Sequence, residues 1–281
     1  MSRRIYILLL FVFCFLAEAV YSSPRQDTRA RFSEVVETDA DHSADVLEEV
    51  KVGRMIAATI LGQHNLYENE NITDYVSRVG HSLTLNYGRA ELVYYFAVLD
   101  SADVNAYASP GGYIFVTRGL LEQLEDEAEL AAVLAHEIIH VDMKHIVKAL
   151  NIKGHTDSEQ RGIVTFIGGA AGSARVAFNQ AVDSAINVLF SEGLQQEDEF
   201  ESDTLAIQLL YQVGYDPYAL ERVLNRVSIL EHTNTSVIRK THPSFVSRIE
   251  RINKDYAQLG INRGNGEKGL ARFKNRTRGL L

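Results

Sequence analysis

The chain has 281 residues, of which 46% are hydrophobic and 23% charged, and its formal net charge is −9. Its length suits one large domain or two small ones, and the composition is ordinary for a globular protein with a real core. The acidic balance argues against non-specific nucleic-acid binding, which needs a surplus of positive charge. The basic tail, residues 263–281, is the local exception.

The first 19 residues have the pattern of a secretory signal peptide. Arg3 and Arg4 precede the apolar run IYILLLFVFCFLA, and Ala17 and Ala19 supply small residues for cleavage. An uncleaved membrane anchor is the alternative, although the run is short for a membrane span. The only cysteine, Cys14, lies in this run, so the processed chain would have neither disulfides nor thiolate metal ligands.

The next part of the chain mixes helical and strand patterns. Residues 20–42 are polar and predict a flexible leader. Apolar periodicity predicts helices that begin at Ser43 and near Asn71, and residues 91–100 are β-branched and aromatic as in a strand. Pro110-Gly111-Gly112 predicts a turn, and YIFVT, residues 113–117, predicts a short strand before another helix begins.

The second half of the chain is predicted to be helical. The most regular pattern runs from Asp126, with Glu129 as its capping-box partner, to Gly154. Residues 162–190 are rich in Gly and Ala and fit either a loosely packed helix or a mobile cover. Further helices are predicted over residues 194–213, which Gly214 ends, over 216–230, and finally over 241–259.

The segment AHEIIH, residues 135–140, has the spacing of a metal site. On a helix, His136 and His140 differ by about 40° around the axis, so two imidazoles can share one tetrahedral zinc ion. Glu137 lies about 100° from His136, where its carboxylate can take a proton from water at the open position. A bare HExxH also occurs by chance in helices, so a third ligand is needed to support the interpretation.

Two candidates exist for that ligand. His145 lies nine residues from His136, about 900° around a continuous helix, so we expect it on the opposite side as a packing or solvent histidine. Glu199 and Asp203 are four apart and share a helix face. Glu199 can bind zinc, and Asp203 can accept the free N–H of a ligand histidine. Glu201 points elsewhere, at about 200° from Glu199. A solvated acidic run is the alternative, but the apolar TLAIQLL that follows favours burial.

Four segments between Glu48 and Tyr256 together resemble the M48 family of zinc metallopeptidases, in its exported bacterial branch near the outer-membrane-protein quality-control proteases. They are VNAYASPGGYIFVTRGLL, AAVLAHEIIHVDMKH, EDEFESDTLA and THPSFVSRI. The resemblance implies one Zn²⁺ per chain, held by His136, His140 and Glu199, with Glu137 as the base and Asp203 behind a ligand histidine. The chain departs from the family at Gln195-Gln196, Ser202 and Ser109.

The resemblance also implies a fold and a way of handling substrate. We expect an α+β, mostly helical, zincin-like domain over residues 43–262, with a small sheet. An edge strand beside the zinc, containing Gly112, Tyr113, Ile114 and Phe115, would pair with an extended substrate. An ordinary internal strand is the alternative.

Two further residues are implied to be catalytic. His242 and Arg248 lie in the family's fourth segment, where both could stabilise the oxyanion of a tetrahedral intermediate. His242 could instead be a removable fourth partner of the zinc, which would hold the enzyme off at rest.

We therefore expect a zinc endopeptidase of the periplasm that acts on misfolded or stalled envelope proteins. Association with a membrane surface is left open, and the helical repeats that some relatives append are not expected. The rival hypothesis is an exported chaperone-like or scaffold protein with a structural zinc. The presence of Glu137 argues against it, because a structural site has no use for that carboxylate.

Overall fold

The computed structural model describes residues 40–150, 152, 180, 182–231, 244–264 and 266–280. Contacts divide the chain after Ser43, and the unit from Ala44 onward contains the domain. The predicted signal peptide, nearly all of the leader and most of residues 162–190 lie outside the described residues.

The described elements make an α+β, mostly helical fold with a small sheet, which confirms the predicted class. In chain order they are α1 (Ala40–Gln63), α2 (Glu70–Tyr87), β1 (Tyr95–Leu99), β2 (Ala106–Ser109), β3 (Tyr113–Thr117), α3 (Arg118–Leu121), α4 (Glu127–Asp142), α5 (His145–Ala149), α6 (Gln196–Val213), α7 (Ala219–Glu231), α8 (Phe245–Leu259) and α9 (Leu270–Arg276). A 3₁₀ turn lies at Pro110–Gly112 and a π-helical turn at Val188–Glu192.

The sheet has the strand order β1-β3-β2. β3 pairs in parallel with β1 and antiparallel with β2, and Ser109 lies opposite Tyr113 across the Pro110–Gly112 turn. That turn closes because Gly111 and Gly112 take φ values of 76° and 93°, which other residues rarely adopt.

The predicted edge strand is therefore wrong. Tyr113, Ile114 and Phe115 belong to the central strand, and Gly112 belongs to the turn before it. The sheet has two edge strands, β1 and β2, and β2 is the one that lies along α4. The sequence pattern did not predict β2, because the alanines of AYAS are weak strand formers. The Pro110–Gly112 turn reverses the chain after this strand, so that β2 pairs antiparallel with β3.

Helix α4 forms the centre of the domain and carries the HExxH segment. It packs against α6, α2 and α7, and β2 lies along it. Asp126 caps it as predicted, with Oδ1 accepting from the backbone N–H of Glu129 at 2.9 Å. The Glu129 carboxylate accepts from the N–H of Glu125 instead of closing the box on Asp126.

The predicted end of this helix at Gly154 is wrong. Helix α4 ends at Asp142, and α5 begins at His145 after Lys144, which has left-handed backbone angles (φ 57°, ψ 33°). A single left-handed residue is enough to end a helix. Neither Gly nor Pro marks the break, because a lysine occupies the position that glycine usually takes.

The basic tail packs onto the domain instead of standing apart from it. Phe273 of α9 is buried, and Arg272 forms an ion pair with Glu127 of α4 (Nη2 to Oε1, 2.5 Å). The prediction that residues 241–259 form the last helix is thus wrong, since α9 follows them. Among the described residues, no helix has both the length and the hydropathy of a membrane span.

Candidate metal centre

Helices α4 and α6 bring three potential metal ligands together. His136 and His140 lie one turn apart on α4, and Glu199 lies in the first turn of α6. All three side chains are buried, with exposed fractions of 4%, 2% and 0%. A buried carboxylate beside two buried imidazoles requires a compensating partner. The alternative of a solvated acidic run is therefore excluded for Glu199.

The ligand atoms have the spacing of a small coordination site. Nε2 of His136 lies 2.9 Å from Nε2 of His140, and each of these atoms lies 3.5 Å from a carboxylate oxygen of Glu199. A tetrahedral ion with bonds of about 2.0–2.1 Å separates its ligand atoms by about 3.3 Å. Two imidazoles and one carboxylate at these distances can therefore hold one metal ion.

A second carboxylate and a guanidinium lie behind His136. Nδ1 of His136 is 3.0 Å from Oδ1 of Asp203, one turn after Glu199 on α6. Arg248 of α8 donates to both oxygens of Asp203, at 2.6 and 2.8 Å, and its Nη1 lies 3.3 Å from Glu199. Asp203 thus lies where the sequence predicted, and Arg248 is buried between two carboxylates.

The electrostatics of this group favour a cation. Burial and the nearby Arg248 lower the pKa of His136, but hydrogen bonds to Asp203 and Glu199 outweigh them and raise it to about 9. A proton and a metal ion would therefore compete for the same carboxylate-lined position.

Glu137 lines two cavities that lie next to the ligands. The first is lined by Asn105, Ala106, Leu120, Val133, His136, Glu137, Leu220, Val223, Leu224, Val227, Phe245 and Arg248. The second is lined by Ala106, Tyr107, Ala108, Glu137, His140, Ile146, Val188, Leu189, Gly193, Leu194 and Glu199. Edge strand β2 borders both cavities through Ala106.

His145 is the site residue whose placement the sequence did not predict. It is fully buried, and its Nδ1 lies 2.9 Å from Nδ1 of His140. The prediction that His145 points away from the site is wrong, because it assumed that α4 continues to this residue. Helix α4 ends before the left-handed Lys144, and His145 belongs to the next helix. His242 lies outside the described residues, so its two predicted roles stay predictions.

The chain is similar to a family of peptidases and to several proteins named as proteases. The family model described as peptidase family M48 matches residues 69–255. The chain is 27% identical over 224 residues to the beta-barrel assembly-enhancing protease of Escherichia coli K12, covering 75% of this chain and 44% of that protein. It is also similar to metalloprotease LoiP of Escherichia coli K12, at 29% identity over 59% of this chain and 64% of LoiP. It is 28% identical to mitochondrial metalloendopeptidase OMA1 of Schizosaccharomyces pombe, over 68% of this chain and 55% of OMA1. The chain thus spans less than half the length of the first of these relatives.

Proposed function

The chain belongs to peptidase family M48, and we propose that it is a zinc-dependent metalloendopeptidase. The observation that carries the proposal is the position of Glu137. Its side chain is buried, it follows the ligand histidine His136 in sequence, and it lines both cavities beside the ligands. A structural metal site needs no such carboxylate, whereas a hydrolytic site needs a base at this place.

The proposed metal is Zn²⁺, because two histidines and one carboxylate are a ligand set of catalytic zinc sites that keep a position open. When bound, the ion would supply a Lewis acid for the scissile carbonyl and lower the pKa of water. Glu137 takes the proton from the attacking water and later delivers it to the leaving amine. Asp203 accepts from the Nδ1–H of His136, which keeps Nε2 of that ring turned toward Glu199.

Substrate binding is proposed to use β2 and the first cavity. An extended peptide can add to the edge strand Ala106–Ser109 through main-chain hydrogen bonds, which reads backbone shape more than side-chain identity. Leu220, Val223, Leu224 and Val227 of α7 line the first cavity at helical spacing. This apolar wall fits one apolar side chain of the substrate next to the scissile bond.

We further propose that the substrates are unfolded or misfolded proteins of the cell envelope and that the enzyme works in the periplasm. The predicted signal peptide at residues 1–19 supports the compartment, as does a relative named for enhancing beta-barrel assembly. A site that pairs with extended backbone accepts unfolded chains, because a folded protein has few free extended segments.

The decisive experiment is cleavage of unfolded casein by the full chain, with and without a chelator, beside the Glu137→Gln variant. We expect chelator-sensitive cleavage by the wild type and almost none by the variant. An unfolded β-barrel protein, compared with the same protein folded in detergent, tests the substrate class. Chelator-resistant cleavage, or equal activity of the variant, would contradict the proposed mechanism.

A further inference from the structure

His145 connects a ligand histidine to a solvent-facing carboxylate. It begins α5, directly after the left-handed Lys144, and this turn brings its ring back to His140. On one side, its Nδ1 lies 2.9 Å from Nδ1 of His140. On the other side, its Nε2 lies 3.0 Å from Oε2 of Glu201 and 3.7 Å from Oδ1 of Asp198. His140, His145 and Glu201 therefore form a row of side chains that runs from the buried ligand to a carboxylate whose side chain is 43% exposed.

The two ligand histidines are thus supported differently. His136 has a fully buried carboxylate, Asp203, directly on its Nδ1. His140 has the His145 ring in that place and meets the Glu201 carboxylate only through it. A neutral ring here adds no further buried negative charge to those of Glu137, Glu199 and Asp203, and uncompensated buried charge is costly.

Coordination would fix every proton in this row. If Nε2 of His140 binds the metal, the proton of that neutral ring must be on Nδ1, which then donates. Nδ1 of His145 must accept it, because the two atoms are 2.9 Å apart and one proton lies between them. The neutral His145 ring then carries its own proton on Nε2 and donates it to Glu201.

We propose that His145 is a positioning residue that fixes the tautomer and orientation of the ligand His140, and that Glu201 fixes the tautomer of His145. This inference rests on the proposed metal site of His136, His140 and Glu199. It also assigns Glu201, expected from helical spacing to point elsewhere, a place in the same network. Ser202 adds a hydroxyl 3.3 Å from Nδ1 of His140 and 3.4 Å from Nδ1 of His145.

The test compares two replacements of His145 in the full chain. His145→Asn offers an amide oxygen near the place of Nδ1, so it can still accept from His140. His145→Leu fills the space but accepts nothing. Affinity for Zn²⁺, measured by competition with a chromophoric chelator, is the first readout. The absorption of the Co²⁺-loaded protein is the second, because its bands depend on ligand geometry. His81→Leu, an exposed histidine on α2, is the matched control.

We expect His145→Leu to weaken Zn²⁺ binding by roughly 10–100-fold, as is usual when an outer hydrogen-bond partner is lost. His145→Asn should recover most of that loss, and the Co²⁺ spectrum should shift only for the leucine variant. A packing role predicts the reverse order, because leucine fills the volume better than asparagine. Equal affinities of the leucine variant and the wild type would overturn the proposal.

Glu201→Gln keeps the experiment decisive if the leucine variant does not fold. Its side chain is partly exposed, so the substitution leaves the core intact, and the amide is a weaker acceptor for Nε2–H of His145. We expect a several-fold loss of Zn²⁺ affinity, and an unchanged affinity would contradict the role of Glu201. A wild type that binds no Zn²⁺ would instead refute the proposed metal site itself, so the two failures are distinguishable.

Discussion

The guanidinium of Arg248 forms a two-pronged contact with the carboxylate of Asp203, with donor–acceptor distances of 2.6 and 2.8 Å. Both side chains are buried, and Arg248 also lies 3.3 Å from Glu199. Burial alone would raise the pKa of Asp203, but Arg248 and the hydrogen bond from His136 hold it below its usual range. Asp203 therefore stays ionised and can accept from His136, so α8 takes part in positioning a ligand on α4.

We predict that Arg248 contributes to metal binding through Asp203, in addition to any role in turnover. Arg248→Ala leaves two buried carboxylates without their cation, a change that typically costs about 3–5 kcal/mol, so we expect a lower melting temperature of the metal-free protein. Zn²⁺ binding should also weaken, because Asp203 is no longer held against Nδ1 of His136. Arg248→Lys keeps the charge but loses the two-pronged contact, and its effect should be smaller. Lys254→Ala, on the exposed side of the same helix, is the control. Full Zn²⁺ affinity with lost turnover would instead favour the oxyanion role implied by resemblance.

Much of the site could be predicted because it depends on local helical geometry. His136 and His140 share a face of α4, and Glu199 and Asp203 share a face of α6, as 3.6 residues per turn require. The predicted end of a helix was correct where a glycine marks it, as at Gly214, which caps α6 with φ 86°.

The rest depended on backbone features that leave no mark in the residue pattern. The left-handed Lys144 ends α4 without glycine or proline, and so His145 could not be placed. Strand order is likewise a tertiary property: YIFVT reads the same in a central strand as at an edge. The ion pair of Arg272 with Glu127 joins residues 145 positions apart. The periodicity of apolar residues predicts neighbours within one helix or strand and not such distant pairs.

Glu137→Gln should retain fold and metal but lose roughly 10²–10⁴-fold in turnover, because an amide cannot accept the proton from water. Zinc content, the melting temperature and the rate of casein cleavage are measured on the same preparation. Wild-type turnover by a fully metal-loaded variant would show that another group acts as the base.

Glu199→Ala should lose most of the bound zinc on dialysis, because it removes one of three protein ligands. Asp203→Asn should lose about 10–100-fold in affinity, since it weakens only the support of His136. Glu197→Ala, an exposed residue in the same first turn of α6, controls for charge removal near the helix start. Zinc loss from Glu197→Ala equal to that from Glu199→Ala would mean that the wrong helix face is assigned.

Leu224→Ala should change which peptide bonds are cut. Leu224 lines the first cavity, and a shorter side chain there makes room for a bulkier apolar substrate residue. Selectivity in apolar pockets changes by about 10–200-fold per methylene group, so a shift toward Phe and Tyr should be clear in peptides identified by mass spectrometry. Leu83→Ala, buried in α2 and lining neither cavity, should lower stability without changing the sequence preference. If the two variants cut the same bonds, the cavity does not select the substrate side chain.

Glu127 offers a test of stability that does not involve the metal. Its buried carboxylate accepts from Tyr75 at 2.7 Å, from Tyr215 at 2.8 Å and from Arg272 of the basic tail at 2.5 and 2.6 Å. Burial raises its pKa, but these donors together lower it below the usual value. A depressed carboxyl pKa adds stability that is complete above the unfolded value, about 4.3, and is lost as the pH falls through the folded value.

Glu127→Gln should therefore be less stable than the wild type at pH 7, by about 1.5–3 kcal/mol, since it weakens hydrogen bonds to a charged acceptor. The share of Arg272 is limited, because its side chain is 55% exposed. The difference should shrink once the pH falls below about 4.3, the unfolded pKa, and vanish as it passes through the lower folded value. Urea unfolding of both proteins from pH 7 to pH 3, with the exposed Glu250→Gln as control, measures it. A difference that stays constant over this range would show that packing of the glutamate side chain, and not its charge, holds the tail helix in place.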